Sequence, residues 1–331
     1  MIAASSKTDW LKINPETTAL DIEFAIRDIV TAKLKRKGIV VGLSGGIDSS
    51  VVAALCVRAL GKDQVLGLIM PEQECSDDSG RLGCMLASTL GISVLVEDIT
   101  ATLDAVGCYR RRDAAIRRLV PDFGTDYKCK LVMADLNSGA RYSLPSLVVK
   151  SPNTESKKVR LTATAYLEIV AASNFKQRVR KMLEYYHADR LQYAVAGTPN
   201  RLEFDQGFFV KNGDGAADLK PIAHLYKSQV YALADYLMLP DEIRRRPSTT
   251  DTFSMAQSQE EFYFSVPLPT LDVCLYGKNH SLPPAEVASV VDLTCDQVTA
   301  VYEAIDSKRR ATAYLHYPPF LVEEMDETPR T

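Results

Sequence analysis

A glycine pair between two apolar runs constrains the fold of this chain more than any other feature. The β-branched run 39–41 (IVV) leads into the stretch 42–49 (GLSGGIDS), and the Ala-rich run 51–57 (VVAALCV) follows. This order predicts a buried strand, a tight loop and a helix. Gly45 and Gly46 allow the backbone to turn sharply and to approach a ligand closely. The loop amides and serine hydroxyls then lie at a helix N-terminus, which is a favourable place for an anion.

An acidic residue distinguishes this loop from an ordinary Gly-rich turn, which would otherwise be the simpler interpretation. Asp48 places a carboxylate beside the anion site, as expected where a divalent metal bridges protein and phosphate. The loop lacks the Lys-Ser/Thr ending of a Walker A motif, and it is not a G-x-G-x-x-G dinucleotide fingerprint. The pattern therefore favours a phosphate chain that carries a metal ion.

The heptapeptide 44–50 (SGGIDSS) resembles the pyrophosphate loop of the ATP pyrophosphatase superfamily. The resemblance implies that ATP is split between its α and β phosphates and that a carboxylate, carbonyl or thiocarboxylate is activated as an adenylate. It also implies that the loop residues bind ATP. These residues are Gly42, Leu43, Ser44, Gly45, Gly46, Ile47, Asp48 and Ser49.

Apolar runs typical of strands alternate with amphipathic runs typical of helices along most of the chain. The predicted strands are 39–41, 65–70, 92–96 and 193–196, and the predicted helices are 16–36, 49–60, 76–90, 227–239 and one that begins at 174. This alternation predicts an α/β fold with a doubly wound parallel sheet and helices on both faces, of the Rossmann-like type. Ligands of such sheets bind at the carboxyl ends of the strands, where the Gly-rich loop lies.

The helix that begins at 174 has a mixed face pattern. We predict that its apolar side chains form one stripe and that its basic side chains lie on the other side. The apolar stripe comprises Phe175, Val179, Met182, Leu183 and Tyr186, and the basic set comprises Arg178, Arg180 and Lys181.

Residues 107–160 interrupt the regular alternation, and we interpret them as a surface insertion or lid. A basic cluster lies on a predicted helix there, and a solvated face is the expected arrangement for such a run. The cluster comprises Arg110, Arg111, Arg112, Arg117 and Arg118. The whole chain, 1–331, is interpreted as a single domain that includes this insertion and a C-terminal helical part at 284–315. Thr294 and Gln297 there have the spacing of a capping box.

Composition excludes several classes of function. The chain has 331 residues and a net charge of −3, so it offers no electrostatic argument for a nucleic-acid partner. No apolar run approaches the roughly 20 residues of a membrane span, and the N-terminus lacks the apolar core of a signal peptide. The seven cysteines are odd in number and show no C-x-x-C, so buried free thiols are expected instead of a zinc site. A cytoplasmic location is expected.

A second constellation lies downstream of the last predicted strand. The segments 197–203 (GTPNRLE), 207–211 (GFFVK) and 213–221 (GDGAADLKP), with the upstream 174–180 (NFKQRVR), closely resemble the NAD synthetase family of the ammonia-dependent type. That family amidates the nicotinate carboxylate of deamido-NAD. The resemblance covers about residues 20–100 and 170–250.

Site roles follow from this resemblance by position. ATP contacts are implied for Thr198, Lys227 and Thr249; deamido-NAD contacts for Arg178, Lys211, Asp218 and Lys308; Mg²⁺ ligation for Asp48 and Glu203; and catalytic roles for Asp48 and Lys211. The resemblance also implies ATP, Mg²⁺, deamido-NAD and ammonia as ligands, and a homodimer. Taken singly, Glu203 could be a carboxylate at a helix N-terminus, Lys211 a solvated loop residue and Asp218 a turn residue or cap.

The chemistry of amide formation agrees with these roles. A carboxylate is a poor electrophile, whereas an acyl-adenylate has a good leaving group in AMP. Metal-binding carboxylates, lysines and loop amides can offset the repulsion between a carboxylate and ATP. Free ammonia is the expected donor, because a glutaminase needs a reactive cysteine and a domain of about 100–200 residues. Residues 1–40, which precede the loop, contain no cysteine.

Three departures from the family pattern concern the acceptor. The insertion is longer than expected, an apolar segment follows Thr252 where the family usually has an acidic loop, and Ser307 stands where the family usually has His. An adenylating amidotransferase that acts on another carboxylate is therefore one alternative. A transfer-RNA thiolation enzyme is disfavoured, since C-x-x-C and a basic surface are missing. An inactive nucleotide-binding homologue is disfavoured, since Asp48, Glu203 and Lys211 are present.

Overall fold

The computed structural model describes residues 9–75, 77–133, 145–152, 155–250 and 252–323. The strands are β1 (Ile39–Gly42), β2 (Val65–Ile69), β3 (Ser93–Val96), β4 (Lys128–Val132), β5 (Ser146–Lys150), β6 (Lys157–Arg160) and β7 (Ala194–Ala196). The helices are α1 (Pro15–Arg27), α2 (Ile47–Leu60), α3 (Asp77–Leu90), α4 (Thr100–Ala105), α5 (Cys108–Arg117), α6 (Ala163–Leu191), α7 (Arg201–Gln206), α8 (Lys227–Tyr236), α9 (Asp241–Arg244), α10 (Leu268–Asn279), α11 (Pro284–Ala288) and α12 (Cys295–His316). None of the described helices is long and apolar enough to cross a membrane.

Four parallel strands form the main sheet, in the order β3-β2-β1-β7. Val41 pairs with Gly67 on one side and with Ala196 on the other, so β1 is a central strand. The chain leaves β1 toward β2 and returns much later to β7, and this reversal makes the boundary between β1 and β7 the switch in strand order. The loop after β1 and the loop after β7 therefore open into one crevice, where ligands of such sheets bind.

Helices cover both faces of this sheet, which confirms the predicted fold class. Alternate residues of β1 point to opposite sides. Ile39 and Val41 pack with α1, α2 and α8, while Val40 packs against α4, α5 and α6. Helix α2 is apolar nearly all round and is buried, as the Ala-rich run after the loop predicts.

The long helix α6 begins at Ala163, eleven residues before its predicted start. The side chain of Thr162 accepts a hydrogen bond from the amide of Ala165, and this N-cap satisfies an amide of the first turn. The predicted division of α6 into a buried apolar face and an exposed basic face is wrong for three side chains. Met182 and Tyr186 are exposed, and Lys181 is buried. Neighbouring elements decide which side of a helix is buried, and α6 packs against several of them.

A three-stranded antiparallel sheet, β4-β5-β6, lies within residues 107–160. Its inner face shares an apolar core with α5 and the start of α6. Arg112 is buried in this region and forms an ion pair with Glu74 at 2.6 Å, so the prediction that the whole arginine cluster is solvated is wrong. The carboxylates of Glu74 and Asp113 supply partners that a local sequence pattern does not reveal.

The C-terminal helices α10, α11 and α12 form a further core with α7 and the segment 260–266. Helix α12 begins with a capping box, because the Thr294 hydroxyl accepts from the Gln297 amide and the Gln297 side chain accepts from the Thr294 amide. The capping prediction is confirmed. The apolar residues that depart from the family pattern after Thr252 contribute Phe253 and Phe264 to two of the cores.

Candidate active site

The Gly-rich loop is held open by its own hydrogen bonds. The hydroxyls of Ser49 and Ser50 donate to the Gly46 carbonyl at 3.0 and 2.8 Å, and the hydroxyls of Ser44 and Ser49 lie 3.1 Å apart. Gly45 has φ +72°, and a Cβ atom there would lie 2.8 Å from the Ser79 carbonyl oxygen. Only glycine fits this backbone without strain. The loop thereby leads into the N-terminus of α2, where backbone amides can face a bound anion.

Three elements bring four polar side chains together beside this loop. Asp48 lies in the first turn of α2, Asn200 is the N-cap of α7, and Lys227 is the first residue of α8. The Asn200 side-chain amide donates to Asp48 Oδ1 at 3.0 Å, and Lys227 Nζ forms an ion pair with Asp48 Oδ2. Glu203 accepts from the Asn200 backbone amide at 3.0 Å and from Gln259 Nε2 at 2.9 Å.

The acidic cluster, Asp48 and Glu203, lies beside the Lys227 ammonium group, and these charges shift the pKa values of Glu203 and Lys227. Burial and the nearby Asp48 carboxylate raise the pKa of Glu203 to about 7. Burial would lower the pKa of Lys227, but attraction to Asp48 and Glu203 outweighs it, so the pKa of Lys227 is raised. Two carboxylates beside the Gly-rich loop form a donor set that suits Mg²⁺, which takes one or two carboxylates and completes its shell with phosphate oxygens and water.

A cavity of about 870 Å³ opens along the carboxyl edge of the sheet. Most of the predicted site residues line it. They are Gly42, Leu43, Ser44, Gly46, Ile47, Asp48 and Ser49 of the loop, with Arg178, Thr198, Glu203, Lys211, Thr249 and Lys308. Three predicted residues are not among the lining residues: Gly45 faces Ser79, Lys227 lies behind Asp48, and Asp218 is directed elsewhere.

One predicted cation, Lys211, contacts the C-terminal end of α12, and a second, Arg178, contacts Lys211. Lys211 Nζ donates to the carbonyls of Tyr314 and Tyr317 at 2.8 and 3.1 Å. Arg178 Nε donates to the Lys211 carbonyl at 3.3 Å. The carbonyls at a helix C-terminus carry partial negative charge and stabilise a nearby cation. The structure thus brings Arg178 and Lys211 together on the cavity wall.

Asp218 contacts the sheet. Its carboxylate accepts from the Val195 amide at 2.8 Å and from the Tyr185 hydroxyl at 3.3 Å. The Asp218 amide donates to the Val195 carbonyl at 2.9 Å, so the residue is fixed against β7 by both its backbone and its side chain. This is the turn-like role that the residue type alone suggested.

Several charged residues at the cavity were given no role in the sequence interpretation. Lys176 is almost completely buried and pairs with Glu72 at 2.9 Å and with Glu74 at 2.6 Å. Lys181 pairs with Glu184 at 2.5 Å, and both are buried. Glu72 and Glu74 directly follow β2, at the same edge of the sheet as the Gly-rich loop. Two acidic residues close after a predicted strand are a sequence signal, and this signal could have pointed to the ion pairs of Lys176 with Glu72 and Glu74.

Comparisons with known proteins agree on one family. The sequence model of the NAD synthase family matches residues 20–119 and 147–312. An NH(3)-dependent NAD(+) synthetase from Mesorhizobium japonicum is 59% identical, over 91% of this chain and 95% of the relative. A protein of the same name from Rhizobium meliloti is 55% identical, over 96% of this chain and 95% of the relative.

Solved structures show the same fold. An NMN synthetase from Francisella tularensis has a TM-score of 0.65 and 21% identity, with 94% of this chain and 99% of that chain covered. An NH3-dependent NAD synthetase from Campylobacter jejuni has a TM-score of 0.60 and 23% identity, with 94% and 100% covered. The family model covers both the Gly-rich loop and the segment from Gly197 to Asp214, which lines another part of the cavity. The chain therefore belongs to the NAD synthase family.

Proposed function

We propose that the chain amidates deamido-NAD with ammonia to give NAD, with conversion of ATP to AMP and pyrophosphate through an acyl-adenylate. The observation that carries this proposal is the acidic cluster of Asp48 and Glu203 beside an open, Gly-rich anion loop at the switch in strand order. The high identity to relatives named NH(3)-dependent NAD(+) synthetase, over nearly their whole length, supports the acceptor and the nitrogen donor. The enzyme is a carbon–nitrogen ligase.

The reaction brings together two anions, the acceptor carboxylate and ATP. The cavity residues can offset the repulsion between them. We assign ATP binding to the loop residues 42–49 with Thr198, Lys227 and Thr249. The loop amides and the serine hydroxyls hold the phosphates, so that the α-phosphate is presented to the attacking carboxylate. When bound, Mg²⁺ would be held by Asp48 and Glu203 and would neutralise charge on the phosphates. Lys227 fixes the Asp48 carboxylate in place through its ion pair.

The acceptor side is assigned to the cations of the opposite wall. Arg178 offers a planar fork for a phosphate or carboxylate, and Lys211 offers a point charge. Lys211 can exchange the Tyr314 and Tyr317 carbonyls for a substrate anion, which is a stronger partner for an ammonium group. Lys308 completes the proposed deamido-NAD contacts, Asp218 holds the loop after β7 in place beside them, and Asp48 and Lys211 are the proposed catalytic residues.

A homodimer is part of this proposal. Helix α6 leaves Leu167, Met182 and Tyr186 exposed at 63%, 56% and 60% of their surface. Exposed large apolar side chains on one element are typical of an interaction surface. Light scattering at working concentration tests the dimer, with Tyr186→Asp as the variant expected to give a monomer. The exposed Asp21→Asn substitution serves as a control that leaves the oligomeric mass unchanged.

We also propose a cytoplasmic location.

A product assay tests the function directly. ATP, Mg²⁺ and ammonia are supplied with deamido-NAD or, separately, with nicotinate mononucleotide, because one solved structure of this fold is an NMN synthetase. We expect NAD, AMP and pyrophosphate in equal amounts from the first mixture. Amide from nicotinate mononucleotide alone would assign the alternative, an amidotransferase for a different carboxylate. The absence of amide from both acceptors would favour an inactive homologue. Turnover with glutamine free of ammonium would contradict ammonia as the donor.

A further inference from the structure

Lys308, which is half-buried, differs from three buried lysines in and beside the cavity. Lys176, Lys181 and Lys227 each form an ion pair with a carboxylate. Lys308 forms no ion pair with any described residue. Its amine lies over the ring of Tyr263, 4.8 Å from the centroid, and 5.3 Å from the centroid of Phe264. Burial alone lowers the pKa of Lys308 to about 7.

The amine lies on the same wall as the acidic cluster. Gln259 donates to Glu203, and Tyr263 follows Gln259 by about one turn in the segment Glu260–Phe264. The Tyr263 hydroxyl donates to the Gln206 carbonyl at 2.7 Å, and Gln206 ends the helix α7 that carries Glu203. Both Tyr263 and Lys308 line the cavity. The Lys308 amine is therefore within the space that receives the substrates.

The second half of the reaction needs a proton acceptor. When ammonia attacks the acyl-adenylate, the new nitrogen is positively charged and carries three protons. One proton must leave this nitrogen as the carbon–oxygen bond to AMP breaks, so that a neutral amide forms. A positioned amine that is neutral near pH 7 can take that proton, whereas a solvated lysine is already protonated.

We propose that Lys308 is the general base of the amidation step: its neutral amine accepts the proton lost by the attacking nitrogen. In this step the carbon–nitrogen bond forms, the carbon–oxygen bond to AMP breaks, and one proton moves from the new amide nitrogen to Lys308 Nζ. The products are the amide, AMP and a protonated Lys308, which the Tyr263 and Phe264 rings stabilise as a cation. The proposal rests on the proposed function.

Other charged groups around Lys308 are already engaged. On α12, Arg309 pairs with Asp205 of α7, and Asp306 pairs with Lys278 of α10. In the segment Glu260–Phe264, Glu261 pairs with Lys130, and the Glu260 carboxylate accepts from the Leu268 amide. Glu203 is held by Gln259 and by the Asn200 amide, and burial raises the pKa of Tyr263, so Tyr263 stays neutral.

Two half-reactions separate a base from a binding residue. Exchange of labelled pyrophosphate into ATP in the presence of deamido-NAD reports adenylation without ammonia, and NAD formation reports the whole reaction. Lys308→Arg places a guanidinium at this position, which stays protonated and therefore cannot act as a base near pH 7. With deamido-NAD at saturation, we expect NAD formation to fall about 100-fold, as for the loss of a general base, and exchange to fall far less. Lys308→Met should show the same loss of NAD formation.

The pH profile and a second nucleophile sharpen the test. Wild-type NAD formation at saturating ammonia should fall below about pH 7, where the Lys308 amine becomes protonated. The arginine variant should lose the part of this limb that Lys308 contributes, whereas the part from Glu203, whose pKa is also about 7, should remain. Hydroxylamine, whose conjugate acid is far more acidic than ammonium, should restore much of the rate in the variant. Lys278→Arg is the matched control, because Lys278 also lies over a tyrosine ring but pairs with Asp306 outside the cavity.

Two results would overturn the proposal. One is a normal rate of NAD formation in Lys308→Arg. The other is a parallel loss of exchange and NAD formation in both Lys308 variants, which would make Lys308 a binding residue only. A wild-type enzyme without exchange activity would contradict the proposed function itself, so the two failures are distinguishable.

Discussion

The two sides of the cavity are built in different ways. On the phosphate side, the loop and Asp48 come from one contiguous stretch, in which β1, the loop and the first turn of α2 succeed one another within residues 39–50. The acceptor side is assembled from α6, the segment around Lys211, the segment Glu260–Phe264 and the end of α12. Local geometry fixes the first side, whereas long-range packing fixes the second. Substitutions on the first side should therefore change chemistry, and those on the second should also change substrate affinity or stability.

The largest expected effect is on the phosphate side. Asp48→Asn removes one of the two carboxylates beside the loop, and we expect activity to fall about 1000-fold, as when charge stabilisation in a transition state is lost. The fold should be retained, because Glu203 still attracts the Lys227 ammonium. Steady-state AMP formation measures the loss, circular dichroism checks the fold, and Asp21→Asn is the control. Turnover like that of the wild type would remove Asp48 from the site.

A buried ion pair on the assembled side should dominate stability. Lys176→Met leaves Glu72 and Glu74 with one cation fewer in a buried setting, and breaking such a pair costs about 3–5 kcal/mol. Urea unfolding measures the change in the free energy of unfolding. The control is Lys278→Met, because the partly exposed Lys278–Asp306 pair should contribute only about 0–1 kcal/mol. Equal losses in the two variants would show that the buried network is not a structural anchor.

Lys211 tests whether the assembled side selects the acceptor. Lys211→Met removes one charged contact to a bound anion, which corresponds to about 2 kcal/mol or 30-fold in affinity. We expect the KM for deamido-NAD to rise by this factor and the KM for ATP to change little. The exposed Lys62→Met substitution controls for the loss of a surface charge. Equal increases in both KM values would break the distinction between the two sides.

Asn200 joins the two sides, and its substitution should have the smallest effect. In Asn200→Ser the N-cap of α7 is retained, because serine also caps helices, but the donor to Asp48 is lost. We expect a loss of about 1 kcal/mol in the interaction with magnesium–ATP, measured as a several-fold rise in its KM. Stability should change less than in Lys176→Met. A larger loss of stability than in that variant would show that the hydrogen bond to Asp48 holds the two sides together.

Sequence patterns correctly predicted the features that depend on residues close together in the sequence. The tight loop between β1 and α2, the alternation of strands and helices and the capping box of α12 are specified by short-range geometry, and the structure confirms them. The α/β class follows from the alternation, since a parallel sheet requires crossover helices.

Sequence patterns failed where the environment of a side chain comes from distant segments. Arg112 is buried because Glu74, 38 residues away, lies beside it. Lys176 is buried because Glu72, 104 residues away, accepts from its ammonium group. Lysines 176, 181 and 211 differ greatly in burial and in partners, although each looks like an ordinary basic residue in the sequence.

Asp218 also has a consequence for self-association. Strand β7 lies at one end of the sheet, and an uncovered strand there would offer free amides and carbonyls to another chain. The Asp218 carboxylate accepts from the Val195 amide, and Ala196 forms a parallel bridge with Leu219. The polar groups of that edge are thereby occupied from within the same molecule. The loop after β7 thus acts as a cover that hinders strand-to-strand aggregation, in addition to any role it has toward a ligand.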